Sequence, residues 1–190
     1  MKQPSKEQFE TWAREIRRSN RRAFDALFRE VYPGMVRFAF RYLNNRAAAQ
    51  DIVQDCFVAL WKTRNRINEN RSLKSYLYTM VRNRALNMLR DHSDLYVSHD
   101  TSLYHQDTAE PDIPDEDENG ELQSKMNQWI DELPGRQKEA FQLSRFHGLD
   151  HDEIAEVMDV SPKTVNNHIV AALSSLRSRY EKHNSEVTNR

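Results

Sequence analysis

Cationic, amide and aromatic side chains recur between residues 71 and 90 in a combination that suits single-stranded nucleic acid. Cations track the phosphates, amides bond to base edges, and aromatic rings stack on exposed bases for about 1–3 kcal/mol each. The side chains concerned are Arg71, Lys74, Tyr76, Tyr78, Arg82, Asn83, Arg84, Asn87 and Arg90. A solvated basic helix with its tyrosines partly in a hydrophobic core has the same composition, so the residues alone support both interpretations.

A smaller polar group consists of Asp51, Gln54 and Asp55. Residues at i, i+3 and i+4 lie on one face of a helix, and this face is opposite the apolar residues of the same segment. By residue type alone, an ordinary solvated face is the preferred interpretation of the group.

Residues 150–176 have the pattern of a helix-turn-helix. Asp150 and Glu153 are close to a capping box for a short helix, and Ser161 and Pro162 begin a longer helix after a short turn. The side chains expected to face a DNA major groove are Lys163, Thr164, Asn166, Asn167, His168 and Ala171. The side-chain amide of an asparagine can form two hydrogen bonds with adenine, and a lysine can bind a phosphate or a guanine. A helical hairpin that binds protein is the alternative.

Apolar residues at spacings of three and four predict the helices that position these groups, and no alternating strand pattern is sustained. The three stripes in the first half of the chain are Phe24, Leu27, Phe28, Val31, Met35, Phe38 and Tyr42; Ile52, Val53, Cys56, Phe57, Leu60 and Trp61; and Leu73, Leu77, Met80, Val81, Ala85, Met88 and Leu89. We expect a kink or break at Pro33–Gly34, and a helix stop and new N-cap at Asn44–Asn45.

The second half of the chain has shorter stripes of the same kind. They are Leu122, Met126, Trp129, Ile130 and Leu133; Ile154, Ala155 and Met158; and Val165, Ile169, Leu173 and Leu176. The last two stripes belong to the two helices of the helix-turn-helix pattern, so they predict which side of each helix is buried.

Charge is segregated along the 190 residues, although the formal net charge is only −1. Residues 1–92 hold 19 Lys and Arg against 9 Asp and Glu, residues 93–121 hold 10 Asp and Glu without Lys or Arg, and residues 122–190 hold 9 against 10. The acidic block contains proline and glycine and no apolar period, which indicates a linker; a solubilising spacer is the simpler alternative. We predict an all-α protein with two small helical domains, 1–92 and 122–182, an acidic flexible linker between them, and a tail from residue 183 to 190.

Other classes of protein fit the sequence poorly. No apolar stretch approaches the ~20 residues of a membrane span, and the single cysteine, Cys56, cannot form an internal disulfide, which suits a reducing cytosol. His147 and His151 are separated by Gly148, with no second ligand pair nearby, and no glycine-rich phosphate loop is present. We therefore expect no catalytic residue, metal, cofactor or small-molecule substrate.

Together these segments resemble the extracytoplasmic-function (ECF) sigma factors, the small two-domain members of the bacterial sigma-70 family. The sequence DIVQDCFVALW is similar to region 2.2 of that family, SYLYTMVRNRALNML to regions 2.3 and 2.4, and LPGRQKEAFQL with GLDHDEIAEVMDVSPKTVNNHI to region 4. The resemblance implies a cytoplasmic protein that binds core RNA polymerase and promoter DNA, directs initiation, and is nucleoid-associated when bound to polymerase. Family members are often restrained by an anti-sigma factor, commonly membrane-anchored, which is a further expected partner.

The resemblance also implies roles for particular residues. Asp51, Gln54 and Asp55 match the face that docks on the clamp helices of the polymerase β′ subunit, and the β flap is a second expected contact. Asn83 matches a residue that helps to recognise the −10 element, and the loop around Asn70–Ser72 resembles one that captures a flipped base. The implied −10 set is Asn70, Arg71, Ser72, Lys74, Tyr76, Arg82, Asn83, Asn87 and Arg90, and the implied −35 set is Ser161, Lys163, Thr164, Asn166, Asn167, His168 and Ala171.

A stand-alone regulator is the second hypothesis, because residues 122–180 also resemble the DNA-binding heads of LuxR-type response regulators. Such a protein would bind duplex DNA by itself, usually as a dimer, and would have no use for base-stacking side chains at residues 72–90. Many sigma factors of this type carry arginines early in the recognition helix, whereas this chain has Val165–His168 there. That departure leaves the −35 sequence preference open.

Overall fold

Residues 4–95 and 119–188 are described by the computed structural model, and no strand occurs within them. The fold of these residues is all-α, as predicted. Contacts divide the chain into two compact units, of which the first contains residues 4–95 and the second residues 119–188. Most of the predicted linker, 93–121, lies outside the described residues, although the flanking helices reach a few residues into it from each end.

The first unit is a helical bundle. Its described elements are α1 (Lys6–Arg17), α2 (Arg21–Leu43), α3 (Arg46–Lys62), a 3-10 turn (Arg64–Arg66) and α4 (Leu73–Leu95). Helix α2 packs along α3, and α4 packs on both. Helix α1 corresponds to none of the predicted stripes. It packs on α2, α4 and the 3-10 turn, and its buried side chains are Phe9, Trp12, Ala13 and Ile16.

Local sequence sets the boundary between α2 and α3. Asn44 ends α2 with φ at 45°, a left-handed conformation that asparagine adopts more readily than most residues. The side chain of Asn45 accepts a hydrogen bond from the backbone N–H of Ala48 at 3.0 Å and so caps α3. The predicted stop and N-cap are therefore confirmed.

Of the kink or break expected at Pro33–Gly34, the break does not occur. Helix α2 runs without interruption from Arg21 to Leu43. Pro33 is exposed, whereas Val31 and Met35 on either side of it are buried in the core. Burial of these neighbours outweighs the one backbone hydrogen bond that a proline removes from a helix.

The core of the first unit draws side chains from all four of its described helices. Its largest fully buried side chains are Ile16, Leu27, Met35, Val53, Leu60, Leu77 and Val81. Edge-to-face and tilted aromatic contacts join α2 to α3, with Phe24 on Trp61 and Phe28 on Phe57 at centroid distances of 5.0 and 4.8 Å. Leu89, expected in the third stripe, is exposed instead, because α4 has no buried residue between Ala85 and Asp91 and so extends past the core.

The second unit is a smaller helical cluster. Its described elements are α5 (Asn119–Asp131), α6 (Gly135–Arg145), α7 (His151–Met158) and α8 (Pro162–Thr188). A hydrophobic cluster joins three of these helices through Ile130, Leu133, Phe141, Ala172 and Leu176, with Met126 and Trp129 packed against it. Helix α8 also packs on α7, which forms the predicted helix-turn-helix.

Two expectations for α8 differ from the structure. Leu173, expected on the buried side, is 39% exposed, and Ala172 is buried in its place. The buried stripe follows Val165, Ile169, Ala172 and Leu176, which keeps the apolar residues on one line along the helix. The helix also continues to Thr188 through most of the predicted tail, and His183 lies edge-on to Trp129 at 5.8 Å.

Candidate nucleic-acid and partner interfaces

The polar face of α3 that carries Asp51, Gln54 and Asp55 is open to solvent. The other side of the helix is anchored in the core by Ile52, Val53, Cys56, Phe57 and Leu60. The predicted group is therefore a continuous surface on a rigid element, and a partner could dock on it without rearrangement of the fold.

Two contacts orient this face. Oδ2 of Asp55 lies 3.2 Å from Nη1 of Arg84 on α4, and Nε2 of Gln54 donates to the hydroxyl of Tyr32 at 3.5 Å. The side chains of the ion pair are both well exposed, so the pair contributes at most about 1 kcal/mol to stability. Asp55 is held in place weakly, and a cationic partner can compete for it.

Sequence reasoning missed an apolar residue on the same face. Val58 is exposed, and it follows Gln54 by four positions and Asp55 by three, so it extends the face by one turn. The available signal was an apolar residue outside the buried stripe of α3. An acidic face with an exposed valine suits a protein partner better than it suits nucleic acid.

Four of the predicted nucleic-acid residues on α4 lie on one side of the helix. At about 100° per residue, Tyr76, Asn83, Asn87 and Arg90 all lie within a narrow arc. All four are exposed, and the exposed fraction of Tyr76 as a whole residue is 45%. Leu86, which sequence reasoning placed on neither surface, is exposed beside this arc. This face offers stacking, base-edge contacts and a cation together.

Two members of the sequence-predicted surface are buried. Lys74 is nine positions before Asn83, about two and a half turns, and so it lies on the opposite side of α4. It is only 9% exposed, with its ammonium 5.6 Å from the ring centre of Phe9. Tyr78 is buried beside Phe38 at 5.1 Å. The core interpretation therefore holds for Tyr78, and Lys74 is not available to a strand on the exposed face.

The loop before α4 is closed by its own polar groups. The side chain of Asn68 accepts from the N–H of Asn70 at 3.0 Å, and its carbonyl accepts from the N–H of Arg71 at 3.1 Å. The hydroxyl of Ser72 accepts from the N–H of Ser75 at 3.1 Å and so caps α4. Asn70 and Arg71 are exposed, so their side chains are accessible to a ligand, whereas the hydroxyl of Ser72 caps α4.

The helix-turn-helix is built by local caps. Asp150 and Glu153 make a complete capping box at the start of α7. Asp159 ends α7 in the left-handed conformation with φ at 54°. The hydroxyl of Ser161 accepts from the N–H of Thr164 at 3.1 Å. These caps fix the sharp change of direction between α7 and α8, which leaves the first turns of α8 exposed to solvent.

The outer face of α8 carries most of the residues that were expected from the sequence to contact −35 DNA. Lys163, Asn166 and Asn167 are exposed, and Thr164, His168 and Ala171 lie at its edge, half-buried. Val170, seven positions after Lys163 and 56% exposed, lies at the centre of this face and was missed. An apolar side chain can contact a thymine methyl group in the major groove.

No group of three or more His, Cys, Asp or Glu side chains in the described ranges could hold a metal ion. No helix among the described residues is long and apolar enough to span a membrane. Cys56 is buried, and burial raises the pKa of its thiol to about 11, so the thiol stays protonated and unreactive at neutral pH.

Comparison with protein families gives one match in each unit. The model for Sigma-70 region 2 matches residues 27–94, and the model for Sigma-70, region 4 matches residues 125–176. Together the two matches cover more than half of the chain. Helix α1 precedes the first match.

Known proteins match over most of the chain. The RNA polymerase sigma-H factor of Pseudomonas aeruginosa is 24% identical over 180 residues, which cover 90% of this chain and 93% of that protein. The ECF RNA polymerase sigma factor RpoE of Cereibacter sphaeroides is 26% identical, with 82% and 84% covered. Both matches therefore extend over most of this chain and over most of the relative.

Two solved structures share the fold. CnrH in complex with the cytosolic domain of CnrY has a TM-score of 0.61 at 21% identity, with 92% of this chain and 98% of that chain covered. The sigma factor RpoE in complex with the anti-sigma factor NepR from Bartonella quintana has a TM-score of 0.60 at 20% identity, with 83% and 96% covered.

A helical bundle with an open amide, aromatic and cationic face, together with a helix-turn-helix unit, is typical of DNA-binding proteins of transcription. The two family matches specify it further: the chain belongs to the sigma-70 family and is an RNA polymerase sigma factor of the ECF type. The resemblance stated from the sequence is confirmed.

Proposed function

We propose that the surfaces described above carry out separate steps of promoter-specific initiation. The acidic face of α3 binds the clamp helices of the β′ subunit of core RNA polymerase, through Asp51, Gln54 and Asp55, with Val58 filling an apolar contact. The second unit meets the β flap. The support for this assignment is an acidic, rigid and solvent-open face at the position that matches Sigma-70 region 2.

The exposed arc of α4 and the preceding loop bind the −10 element. Asn70 and Arg71 in the loop hold a base that has left the stack, Tyr76 stacks on a neighbouring base, and Asn83 reads a base edge. Asn87, Arg90 and half-buried Arg82 hold the strand. This assignment leaves out Lys74, because its ammonium faces α1, and gives Ser72 the task of capping α4.

The N-terminal half of α8 binds the −35 element as duplex DNA. Lys163, Asn166 and Asn167 reach the bases or phosphates of the major groove, with Val170 against a thymine methyl group. Thr164, His168 and Ala171 line the edge of the contact. Ser161 lies at the N-terminus of a long helix, where backbone N–H groups and the helix dipole favour a phosphate.

An anti-sigma factor is the further partner that we propose. The two similar solved structures are complexes with the cytosolic domain of CnrY and with the anti-sigma factor NepR. The exposed polar and apolar residues of α3 provide a face that such a protein could cover, whether free or membrane-anchored, and covering it would block access to polymerase. The chain itself performs no covalent chemistry in this scheme, which the polymerase supplies.

In this proposal each step of initiation belongs to one part of the chain. Residues 1–92 carry polymerase binding, −10 recognition and melting, residues 122–182 carry −35 recognition, and the acidic residues 93–121 connect them. A protein with these partners works in the cytoplasm and lies on the nucleoid when it is bound to polymerase.

The observation that carries the proposal is the combination of an open amide and tyrosine face on α4 with a capped helix-turn-helix in the same chain. Run-off transcription on a genomic library, with core polymerase alone and with the chain added, tests it. We expect new start sites that share two upstream elements only when the chain is present. No new start site would contradict the proposal. Tight binding of the chain alone to duplex DNA in a gel shift would favour the stand-alone regulator.

A further inference from the structure

The C-terminal end of helix α1 contacts the loop that is proposed to capture a −10 base. Nη1 of Arg17, in the last turn of α1, lies 2.9 Å from Oε1 of Glu69. Glu69 directly precedes Asn70 and Arg71, whose side chains are exposed. The ion pair is therefore adjacent in sequence to the residues that would touch DNA, while Arg17 itself belongs to another element.

Helix α1 and the turn that follows it contact both ends of the loop. At its start, Nε of Arg64 donates to the hydroxyl of Ser19 in the turn after α1 at 2.9 Å, and Arg64 also stacks on Trp61 at 4.5 Å. At its end, the ammonium of Lys74 lies over the ring of Phe9 on α1. Three contacts from α1 and its following turn thus span the segment from the 3-10 turn to the first turn of α4.

The turn after α1 is itself held in an unusual conformation. Ser19 has φ at 64°, in the left-handed region that serine seldom occupies. Its N–H donates to the carbonyl of Ile16 at 2.8 Å, and the N–H of Asn20 donates to that of Glu15 at 3.0 Å. Ile16 is fully buried, so its hydrogen bond holds the backbone of Ser19 against the core. The hydroxyl of Ser19 in turn holds the side chain of Arg64.

We propose that α1 is a positioning element for base capture, with Arg17 as its principal positioning residue. This inference rests on the proposed function of the loop. An exposed loop loses conformational entropy when it closes on a ligand, and contacts that hold it beforehand reduce that cost. Arg17 acts through Glu69, so its effect falls on the capture of one base and leaves polymerase binding and −35 contacts unchanged. Helix α1 lies before the residues matched by Sigma-70 region 2, so that match assigns it nothing.

A charge-swap experiment tests the inference on the holoenzyme. The variants are Arg17→Glu, Glu69→Arg and the double swap, and Arg14→Glu is the matched control, since it makes the same charge change one turn earlier on α1. The probe is a single-stranded oligonucleotide that carries the −10 sequence of a promoter found by the run-off experiment, compared with the same oligonucleotide abasic at the captured position. The ratio of the two affinities removes general attraction to phosphates.

We expect each single swap to lower this ratio about two- to fivefold, the range available to an exposed ion pair, and the double swap to restore it. Arg14→Glu should leave the ratio unchanged, and thermal melting and affinity for core polymerase should be the same in every variant. A ratio unaffected by Arg17→Glu, or one that the double swap fails to restore, would overturn the inference. A holoenzyme without any specific start site would instead contradict the proposed function itself, so the two failures are distinguishable.

Discussion

Asp55 on α3 and Arg84 on α4 form an ion pair of 3.2 Å that joins the face proposed for polymerase to the helix proposed for −10 DNA. Arg84 directly follows Asn83, which is exposed in the arc of α4 proposed to bind DNA. A cationic partner that takes Asp55 would release the guanidinium of Arg84 at the side of that arc. The two surfaces are therefore neighbours that share one weak contact.

Charge reversal at Asp55 should weaken the binding of core polymerase. Asp55→Arg replaces an attraction by a repulsion at a basic partner, and we expect the affinity to fall at least about tenfold, or about 1.4 kcal/mol. Titration with labelled core enzyme measures the change. Asp25→Arg, on the exposed side of α2, is the matched control and should bind normally. An unchanged affinity of Asp55→Arg would remove Asp55 from the interface.

The ring of Tyr76 should matter more than its hydroxyl. Tyr76→Ala removes a stacking surface, so we expect the free energy of open-complex formation to become less favourable by about 1–3 kcal/mol. Tyr76→Phe keeps the ring and should behave like the natural protein. Permanganate reactivity of unpaired thymines measures opening. Tyr76→Phe keeps the packing of the ring and should alter the free energy of folding by no more than about 0.5 kcal/mol. Since Tyr76 is only 45% exposed, thermal melting of Tyr76→Ala shows how much of its effect is loss of stability. Equal opening by the alanine and phenylalanine variants would rule out stacking.

Alanine variants of Asn167 and Lys163 should lose different DNA contacts, a base contact in the first case and a phosphate contact in the second. Asn167→Ala is expected to relax the preference at one position of the −35 element by about 1–3 kcal/mol. Lys163→Ala should weaken binding nearly uniformly across sequences and lower the salt dependence. Transcription from a library randomised at the −35 element distinguishes the two patterns, with Ser178→Ala further along α8 as the control. Base preferences that stay unchanged in Asn167→Ala would exclude direct reading by that residue.

Cys56 should be inert in the folded protein. Burial raises the pKa of its thiol to about 11, with a smaller opposing effect of Arg84. Between about pH 9 and 11 the unfolded thiol loses its proton while the folded one keeps it, so this group makes stability fall as pH rises through that window. A thiol reagent at pH 8 should react slowly with the native chain and fully in denaturant, where the single cysteine is open. Rapid reaction of the native chain would contradict the burial, and Cys56→Ala should lack this part of the pH dependence.

Much of the helix-turn-helix could be predicted because its determinants are local. The capping box of Asp150 and Glu153, the cap at Ser161 and the start of α8 at Pro162 each depend on residues within one turn. The same holds for Asn44 and Asn45. Side chains within a few positions of one another meet whatever the rest of the fold does, so sequence alone determines these boundaries.

The sequence was less informative about long helices with broad polar and apolar faces. On α4 it gave Lys74 and Tyr76 the same role, whereas one packs against α1 and the other is exposed. On α8 it chose Leu173 over Ala172 for the core. Both choices depend on which neighbouring helix covers each part of the surface, and those neighbours are distant in sequence.

What the sequence determined by itself was the helical class, the segregation of charge, the caps and the sigma-type motifs, because periodicity and capping act over a few residues. Tertiary structure decided which side chains of those motifs remain free for a partner. It also revealed α1 beneath the loop of Asn70 and Arg71, joined to it through Arg17 and Glu69. That contact spans 52 positions along the chain, and no local rule encodes it, because only the packing of the complete bundle brings its two residues together.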